Sequence, residues 1–446
     1  MNPAPPGGAA ARLISRLRIP EDSLFRNRSF VLVWLSATLA TLGASVSQLA
    51  LPLAAAQYLH ASATEMGFMF ASATLPFVLF SLPAGVWIDR CKKRTLIVAF
   101  NLLGTLALFS VPLAAHFGFL SMPLLCLVEF AVGTCWCIGG SAEQVFVTAV
   151  VGRDRLIEAN SKQAAAGSIA GLLGPILAGV LVAWLGAPTA VALDGLMFLI
   201  SALLVAAIRL KETPAAATAT PILRDALSGL RYVWNHPLLR AFAVMAAMCL
   251  FLFDGFMALY VLHATRNLHL SAGELATVNT MAALGALVSA MLVRRLNQRI
   301  GKYVVIPLGL VATAAGFIGY ALVPAGAGSL ILAGAAMFLV EGGMTAYTIN
   351  YLALRQLATP DELLGRMTTT MRFLSVSAAP IGASVAGFCG DRAGLMPVIA
   401  ALGIAGLAAA LTAHTLIRRA LDRGAGAGNT APPASPSTAG HPQETA

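Results

Sequence analysis

Charge is what this sequence lacks. Only 11% of its 446 residues are Asp, Glu, Lys or Arg, and the acids are the scarcer sign, 19 against 29. A soluble chain carries about 25% charged residues, so water alone cannot solvate this one, and a larger buried core does not remove the need for polar surface. Other absences exclude other classes. No GxxxxGK string followed by Ser or Thr is present to cradle a nucleotide, so ATP-driven chemistry has no support within the chain. The seven histidines are scattered, without HExxH or another ligand spacing, and no metal site is expected. The six cysteines form neither a disulfide framework nor a metal set; five lie in apolar runs, where they serve as small packing groups, and Cys91 lies in a basic loop. No cofactor and no enzymatic reaction are called for. Before the first long apolar run there is no short apolar stretch with a small-residue cleavage site, so residues 1–28 read as an arm and the first run as retained.

What fills the chain instead is hydrophobic length. Apolar residues make up 58%, and mean hydropathy is +0.80. Twelve apolar runs can be placed between residues 30 and 417, most of them near the ~20 residues a helix needs to cross ~30 Å of hydrocarbon. The chain is therefore expected to be an all-α membrane protein of twelve transmembrane helices. The basic residues orient it. Alternate connections hold 27 of the 29 Lys and Arg, and the other side holds Arg266 and Arg392 alone. By the positive-inside rule this puts both termini in the cytoplasm of a cell inner membrane. The net charge of +10 then faces anionic lipid heads, and nucleic-acid binding is not needed to explain it.

The runs divide six and six. Residues 1–28 are a cytoplasmic arm, 29–208 a first six-helix bundle, 209–237 a cytoplasmic linker, 238–418 a second bundle, and 419–446 a disordered tail rich in Gly, Ala, Pro and Ser. The linker's second half patterns as an amphipathic helix with Ile222, Ala226, Leu227, Leu230 and Val233 on one side. The halves echo each other. The basic turn at 89–94 returns at 294–302, VGRDRLIEAN (151–160) returns as TPDELLGRM (359–367), and Pro175 returns as Pro380, all at an offset near 206. Two pseudo-symmetric bundles with a pathway between them are a known transporter design.

Gly85-Val-Trp-Ile-Asp89-Arg90-Cys-Lys-Lys93-Arg94 resembles the signature loop between the second and third helices of the major facilitator superfamily, with Lys92 where many members have a second Gly. The resemblance implies a conformational latch of Gly85, Asp89, Arg90 and Arg94. In the fifth run, Ala170, Gly174, Pro175, Ala178 and Gly179 are similar to the Gly-Pro motif of the superfamily's antiporters, with Ala replacing two glycines. RDRLIEANS, GLRYVWNHPLLR and TPDELLGRM extend the likeness, from about residue 26 to 420, to the drug–proton antiporter branch of macrolide-efflux and enterobactin exporters. It implies alternating access and proton-coupled export of a small amphipathic drug or siderophore, usually by a monomer.

Ionisable groups inside apolar runs cost ~2.5–3.5 kcal/mol each even on a mild insertion scale, so each points to a role. Glu129 and Glu341 lie near mid-depth in the fourth and tenth runs, and Asp254 and Asp194 in the outer parts of the seventh and sixth. Burial and nearby charge tune a carboxyl for proton exchange, which makes these four the proton-coupling candidates. Structural capping or pairing with a hydroxyl is the competing reading, above all for Asp194. Glu143, Arg355 and Arg372 sit nearer the basic ends and are candidates for a gate. Gln48, Gln144, Asn279, Tyr347 and Asn350 are cavity candidates, with Ser47, Thr280 and Tyr351 beside them; Met66, Met69, Phe70, Phe77, Phe80, Phe251, Phe253, Phe256 and Met257 are the groups able to grip an amphipathic compound, most of them expected to pack or to face lipid. An uptake symporter on the same fold, or a membrane sensor without transport, remain the alternatives, since fold does not fix direction.

Overall fold

The computed structural model describes residues 23–210, 212, 222–360 and 363–428, and no strand occurs among them. Among the described residues, twelve helices are long and apolar enough to cross a membrane. We label them α1 (Arg28–Gln57), α2 (Ala63–Arg90), α3 (Lys93–His116), α4 (Met122–Val151), α5 (Leu156–Leu185), α6 (Ala187–Ala206), α7 (Pro237–Arg266), α8 (Ala272–Ile300), α9 (Lys302–Ala321), α10 (Ser329–Leu357), α11 (in two pieces, Leu364–Val376 and Ala379–Ala393) and α12 (Leu395–Gly428). The protein is an all-α, multi-pass membrane fold. Leu106, Trp184, Met291 and Leu411 are each more than two-thirds exposed, a surface that lipid satisfies and water does not.

The expected surface helix forms over Ile222–Asn235. Its side chains from 222 to 228 lie outside the described residues, but Val233 is buried with Met367 and Met371 of α11 and Phe242 of α7. The helix is thus docked on the second bundle as well as amphipathic. The eleventh run, expected as one helix, is interrupted at Ser377–Ala378, just before Pro380, which lacks the N–H to continue the ladder.

Within the first half, α1 packs on α5 and α6, and α3 on α4 and α6. Within the second, α10 packs on α8 and α9, and α12 on α7 and α9. The Ser36 and Ser201 hydroxyls meet at 2.5 Å and Asn101 Nδ2 donates to Ser201 Oγ at 2.9 Å, tying α1, α3 and α6. The halves meet along two seams, α2 with α11 and α5 with α8. Both are narrow because small residues face each other. A Cβ on Gly387 would lie 2.5 Å from the Ala63 carbonyl oxygen and 3.0 Å from the Gly67 Cα, so α2 and α11 touch backbone to backbone; in the other seam Gly179 of α5 makes room for the Ala276 methyl of α8.

These close contacts lie at the end of the bundle opposite the basic loops. Two turns at this far end repeat one string, Leu59-His60-Ala61-Ser62-Ala63-Thr64-Glu65 and Leu268-His269-Leu270-Ser271-Ala272-Gly273-Glu274. In each, the His takes a positive φ (49° and 55°), the Ser side chain accepts from the Glu backbone N–H, and the Glu carboxylate accepts from the Ser N–H at 2.7 and 2.8 Å. Such a capping box satisfies two of the helix's orphan donors. In the first half the remaining donors are met from the second half, since Asp391 accepts from Ala63 N and Thr64 N; a carbonyl of the same turn is met too, Arg266 donating to the Ala61 oxygen at 2.7 Å.

Candidate functional site

Far-end closure leaves a space of about 500 Å³ between the halves. Its walls come from both. From α1 come Ser45, Gln48 and Pro52, from α2 Phe70 and Ala73, from α4 Glu129, and from α5 Gly171 and Pro175. From α7 come Phe253, Asp254, Met257, Tyr260 and Val261, from α8 Asn279, Ala282 and Ala283, and from α10 Met337 and Glu341. The repeat is visible here at the 209-residue offset of the two far-end strings: Gln48 and Met257, Pro52 and Val261, and Ala73 and Ala282 are equivalent positions, and all six line the cavity.

Three of the four expected carboxyls, Glu129, Asp254 and Glu341, therefore share one cavity, and each is half-buried. Among the described residues, no Lys, Arg or His lines it. Of the nine aromatic and Met residues named from the sequence, Phe70, Phe253 and Met257 supply apolar surface to the cavity and the other six are not in its lining. Tyr260 was not singled out there; its hydroxyl donates to Asn279 Oδ1 at 2.6 Å and fixes the amide at the wall. The Tyr320 hydroxyl in turn donates to the Tyr260 carbonyl at 3.1 Å. The cavity can hold a cation against carboxylates and an apolar body against rings and methyls.

Two local backbone features aim these groups. Pro52 lies inside α1 beside Gln48 and Pro175 inside α5, and each removes one ladder hydrogen bond where its helix passes the cavity. α4 carries a π turn, Cys135–Gly139, between Glu129 and Glu143, with Cys135 Sγ donating to the Phe100 carbonyl at 2.9 Å. Single π turns cluster at functional sites. Its extra residue rotates Glu143 relative to Glu129, which a regular helix pattern does not reveal.

The other expected residues lie elsewhere. Asp194 is wholly buried between α6 and α1. Tyr347 is buried and stacks on Tyr351, and Asn350 accepts from Asn297 Nδ2 at 2.8 Å, joining α8 to α10. Gln144 is exposed outside the cavity lining. Ser47 is buried, next to the lining residue Gln48. Arg355 is buried and stays in its own half, over the Tyr351 ring with Nη1 donating to that hydroxyl at 3.3 Å. One carboxylate oxygen of Glu143 is buried without a partner. Arg372 crosses the α2–α11 seam by its guanidinium over the Phe77 ring, 5.4 Å from the centroid.

Of the signature-loop residues, the side chains of Gly85 and Asp89 lie outside the described residues, and Arg90 is exposed. Arg94 donates to the Ala206 carbonyl, which caps the end of α6 within the same half. The first turn of α3 is itself capped by Glu212 of the linker, which accepts from Lys93 N at 2.6 Å and Arg94 N at 3.0 Å. In the motif of α5, Gly174 packs on Ser45 of α1 and Gly179 on Ala276 of α8.

Comparison with known proteins agrees with this architecture. The sequence profile described as Major Facilitator Superfamily matches residues 33–383. The multidrug efflux pump Tap of Mycolicibacterium fortuitum is 28% identical over 386 residues, covering 84% of this chain and 92% of Tap. Among solved structures, the nucleoside transporter NupG superposes with a TM-score of 0.73 at 11% identity, over 87% of this chain and 99% of NupG. A bacterial homologue of the iron transporter ferroportin, at 17% identity, matches with a TM-score of 0.67 in its inward-facing state, over 90% of this chain and 99% of that one. In its outward-facing state the score is 0.57, over 89% of this chain and 100% of that one.

Proposed function

This chain belongs to the Major Facilitator Superfamily and is a membrane transporter, and we propose that it exports small amphipathic cations in exchange for protons by alternating access. The observation that carries this reading is the cavity itself, where Glu129, Asp254 and Glu341 converge from three helices of both halves among Phe70, Phe253 and Met257, with no basic side chain in the lining. Carboxylates in an apolar cavity attract a cation and, being titratable, can trade it for a proton. The multidrug efflux pump Tap supports export as the direction. The 27-to-2 division of basic residues supports an inner-membrane orientation with both termini cytoplasmic. In that orientation the far end faces outward and the cavity faces the cytoplasm, in line with the better match to an inward-facing neighbour. In the alternate state the far seams open and Glu143 of α4 pairs with Arg355 of α10 to shut the basic end. The chain is read as working as a monomer.

The test is accumulation in a bacterial host stripped of its own efflux pumps. Cells expressing the chain should retain less of a lipophilic monocation, with tetraphenylphosphonium and ethidium as probes, than cells expressing the Glu129→Gln, Glu341→Gln double variant at equal level. Equal accumulation in both overturns the assignment. Higher accumulation in the wild type reverses the direction and makes the protein an importer.

A further inference from the structure

Two asparagines, Asn350 and Asn279, join helices of the second bundle, and they do so differently. Asn350 is buried with both ends of its amide engaged: Oδ1 accepts from Asn297, and Nδ2 donates to the Ala346 carbonyl at 2.9 Å. That amide is spent on the fold. Asn279 of α8 is half-exposed at the cavity wall, and its Oδ1 is taken by the Tyr260 hydroxyl of α7 at 2.6 Å. Its Nδ2 has no partner among the described residues.

Tyr260 decides which end of the amide faces inward. Its ring is 4% exposed and packs on Phe256 and Tyr320, with centroids 6.0 and 5.3 Å away. The hydroxyl hydrogen has no other acceptor among the described residues. Were the amide reversed, Nδ2 would donate to the phenol oxygen and that hydrogen would be left unpaired in a buried place, which is costly. The phenol therefore donates to Oδ1, and the two N–H groups of Nδ2 are left for the cavity.

The repeat shows that the fold does not require this pair. At the 209-residue offset Tyr260 corresponds to Leu51 and Asn279 to Phe70. The first half builds the same two helices with apolar side chains there, and Phe70 presents a ring to the cavity where Asn279 presents an amide. The other polar groups of the wall do not duplicate it. The Ser45 hydroxyl donates to the Thr41 carbonyl at 3.1 Å, and the Gln48 amide is exposed with neither end bonded among the described residues. Glu129, Asp254 and Glu341 offer acceptors when ionised. An amide N–H repels a positive centre, so Asn279 does not serve the charge that the carboxylates attract. What it fits is an acceptor elsewhere on the same compound.

We propose that Asn279 is the cavity's fixed hydrogen-bond donor, positioned by Tyr260, and that the transported compounds are cations carrying an acceptor oxygen, such as a carbonyl, apart from the charge. This rests on the reading of cation export given above. Carboxylates, rings and amide then read three different features of one compound: its charge, its apolar body and its oxygen. A site built around a hydrogen bond discriminates against an analogue that lacks the partner atom, because the donor is left unpaired.

The test uses matched probes that differ by C=O in place of CH2. The charged pair is 4-oxopentyl- and pentyltriphenylphosphonium, and the neutral pair is benzophenone and diphenylmethane, each titrated onto purified protein in one detergent. The ratio of ketone to hydrocarbon affinity should fall by about three- to tenfold in Asn279→Leu, the worth of one hydrogen bond. Asn279→Ala should give a similar fall and serves if the Leu variant folds poorly. Both members of a pair meet the same altered wall, so a loss of packing alone cancels in the ratio. An unchanged ratio in both variants overturns the proposal. Tyr260→Phe frees the amide to turn and should lower the ratio by about twofold or more; no change there overturns the positioning role of Tyr260. The C=O stretch of bound benzophenone should lie at lower wavenumber in wild type than in Asn279→Leu, and equal wavenumbers refute the donor assignment. If the phosphonium pair does not bind wild type while the neutral pair shows the fall, the cation reading fails and Asn279 stands as a donor to neutral ketones. If neither pair binds, both readings fail.

Discussion

The Asp391 carboxylate, in the last turn of α11, caps the first turn of α2 across the boundary between the two halves, accepting from the backbone N–H of Ala63 at 2.8 Å and of Thr64 at 2.9 Å. These N–H groups carry the positive end of the α2 dipole, so the contact is a charge on a dipole as well as a pair of hydrogen bonds. The other seam has no equal, since the position 206 residues earlier, at the end of α5, is Leu185. Because these bonds span the seam, they exist only while the far end is shut.

Removing this contact should therefore bias the protein toward far-end opening. Asp391 is exposed, so its bonds are discounted to about 1 kcal/mol, which shifts a two-state balance by roughly fivefold. With the native cysteines replaced and Ser45→Cys placed in the cavity wall, a membrane-impermeant maleimide applied from the far side should react several times faster in Asp391→Ala. Asp391→Asn, which keeps an acceptor but loses the charge, should fall between. Equal rates in all three would show that Asp391 only trims a helix end.

Gly387 makes the opposite kind of demand. Its missing side chain lets α11 lie on α2, with a Cβ there only 2.5 Å from the Ala63 carbonyl oxygen. Gly387→Val should force the helices apart at a cost of about 1–3 kcal/mol by overpacking. The thermal midpoint in detergent should drop by several degrees, and the same far-side cysteine should become more reactive. A variant as stable and as closed as wild type would mean that the seam has slack the structure does not show.

How much of this could be read from the residues themselves differs by feature. The spans and their alternation were legible because a ~20-residue apolar run and a lysine or arginine at a loop are local signals. Glu129, Asp254 and Glu341 were legible for a similar reason, as charges where charge is costly. Asn350 and Tyr347 were not separable from Asn279 and Gln48 by type. Which of them faces the cavity depends on helix rotation, and Asn350 is turned away to meet Asn297. The π turn at Cys135–Gly139 leaves no local mark, and the Asp391 contact joins residues 328 apart. The repeated Leu-His-x-Ser-Ala-x-Glu string at the far end is a signal of another kind, present in the sequence and visible only to a comparison of the halves at the turns between spans.

The cavity carboxyls should discriminate by charge rather than by size. A unit charge a few ångströms from a carboxylate in a partly wet site interacts by roughly 1–3 kcal/mol, or about tenfold to a hundredfold in affinity. Asp254→Asn or Glu341→Gln should weaken tetraphenylphosphonium binding by about that factor. A neutral aromatic compound of similar volume should bind the variants and the wild type alike. If both compounds lose affinity together, the carboxyls are shaping the cavity and not reading charge.

Glu212 offers a test of the linker's structural part in the first bundle. It supplies the cap that Lys92, at the N-cap position of α3 without a side-chain bond, does not. Its two oxygens take the N–H groups of Lys93 and Arg94, while the Arg94 guanidinium turns to the Ala206 carbonyl at the end of α6. One carboxylate and one arginine thus close two helix ends of opposite polarity, each with the charge that its dipole favours. Glu212→Ala should cost about 1 kcal/mol, the usual loss for a helix cap. Glu212→Gln should cost less, because an amide oxygen can still accept one bond. The thermal midpoint should follow the order wild type, Gln, Ala, and tetraphenylphosphonium affinity should stay the same in all three, since Glu212 is no part of the cavity wall. A loss of affinity without a loss of stability would instead connect the linker to the cavity through α3 and α6.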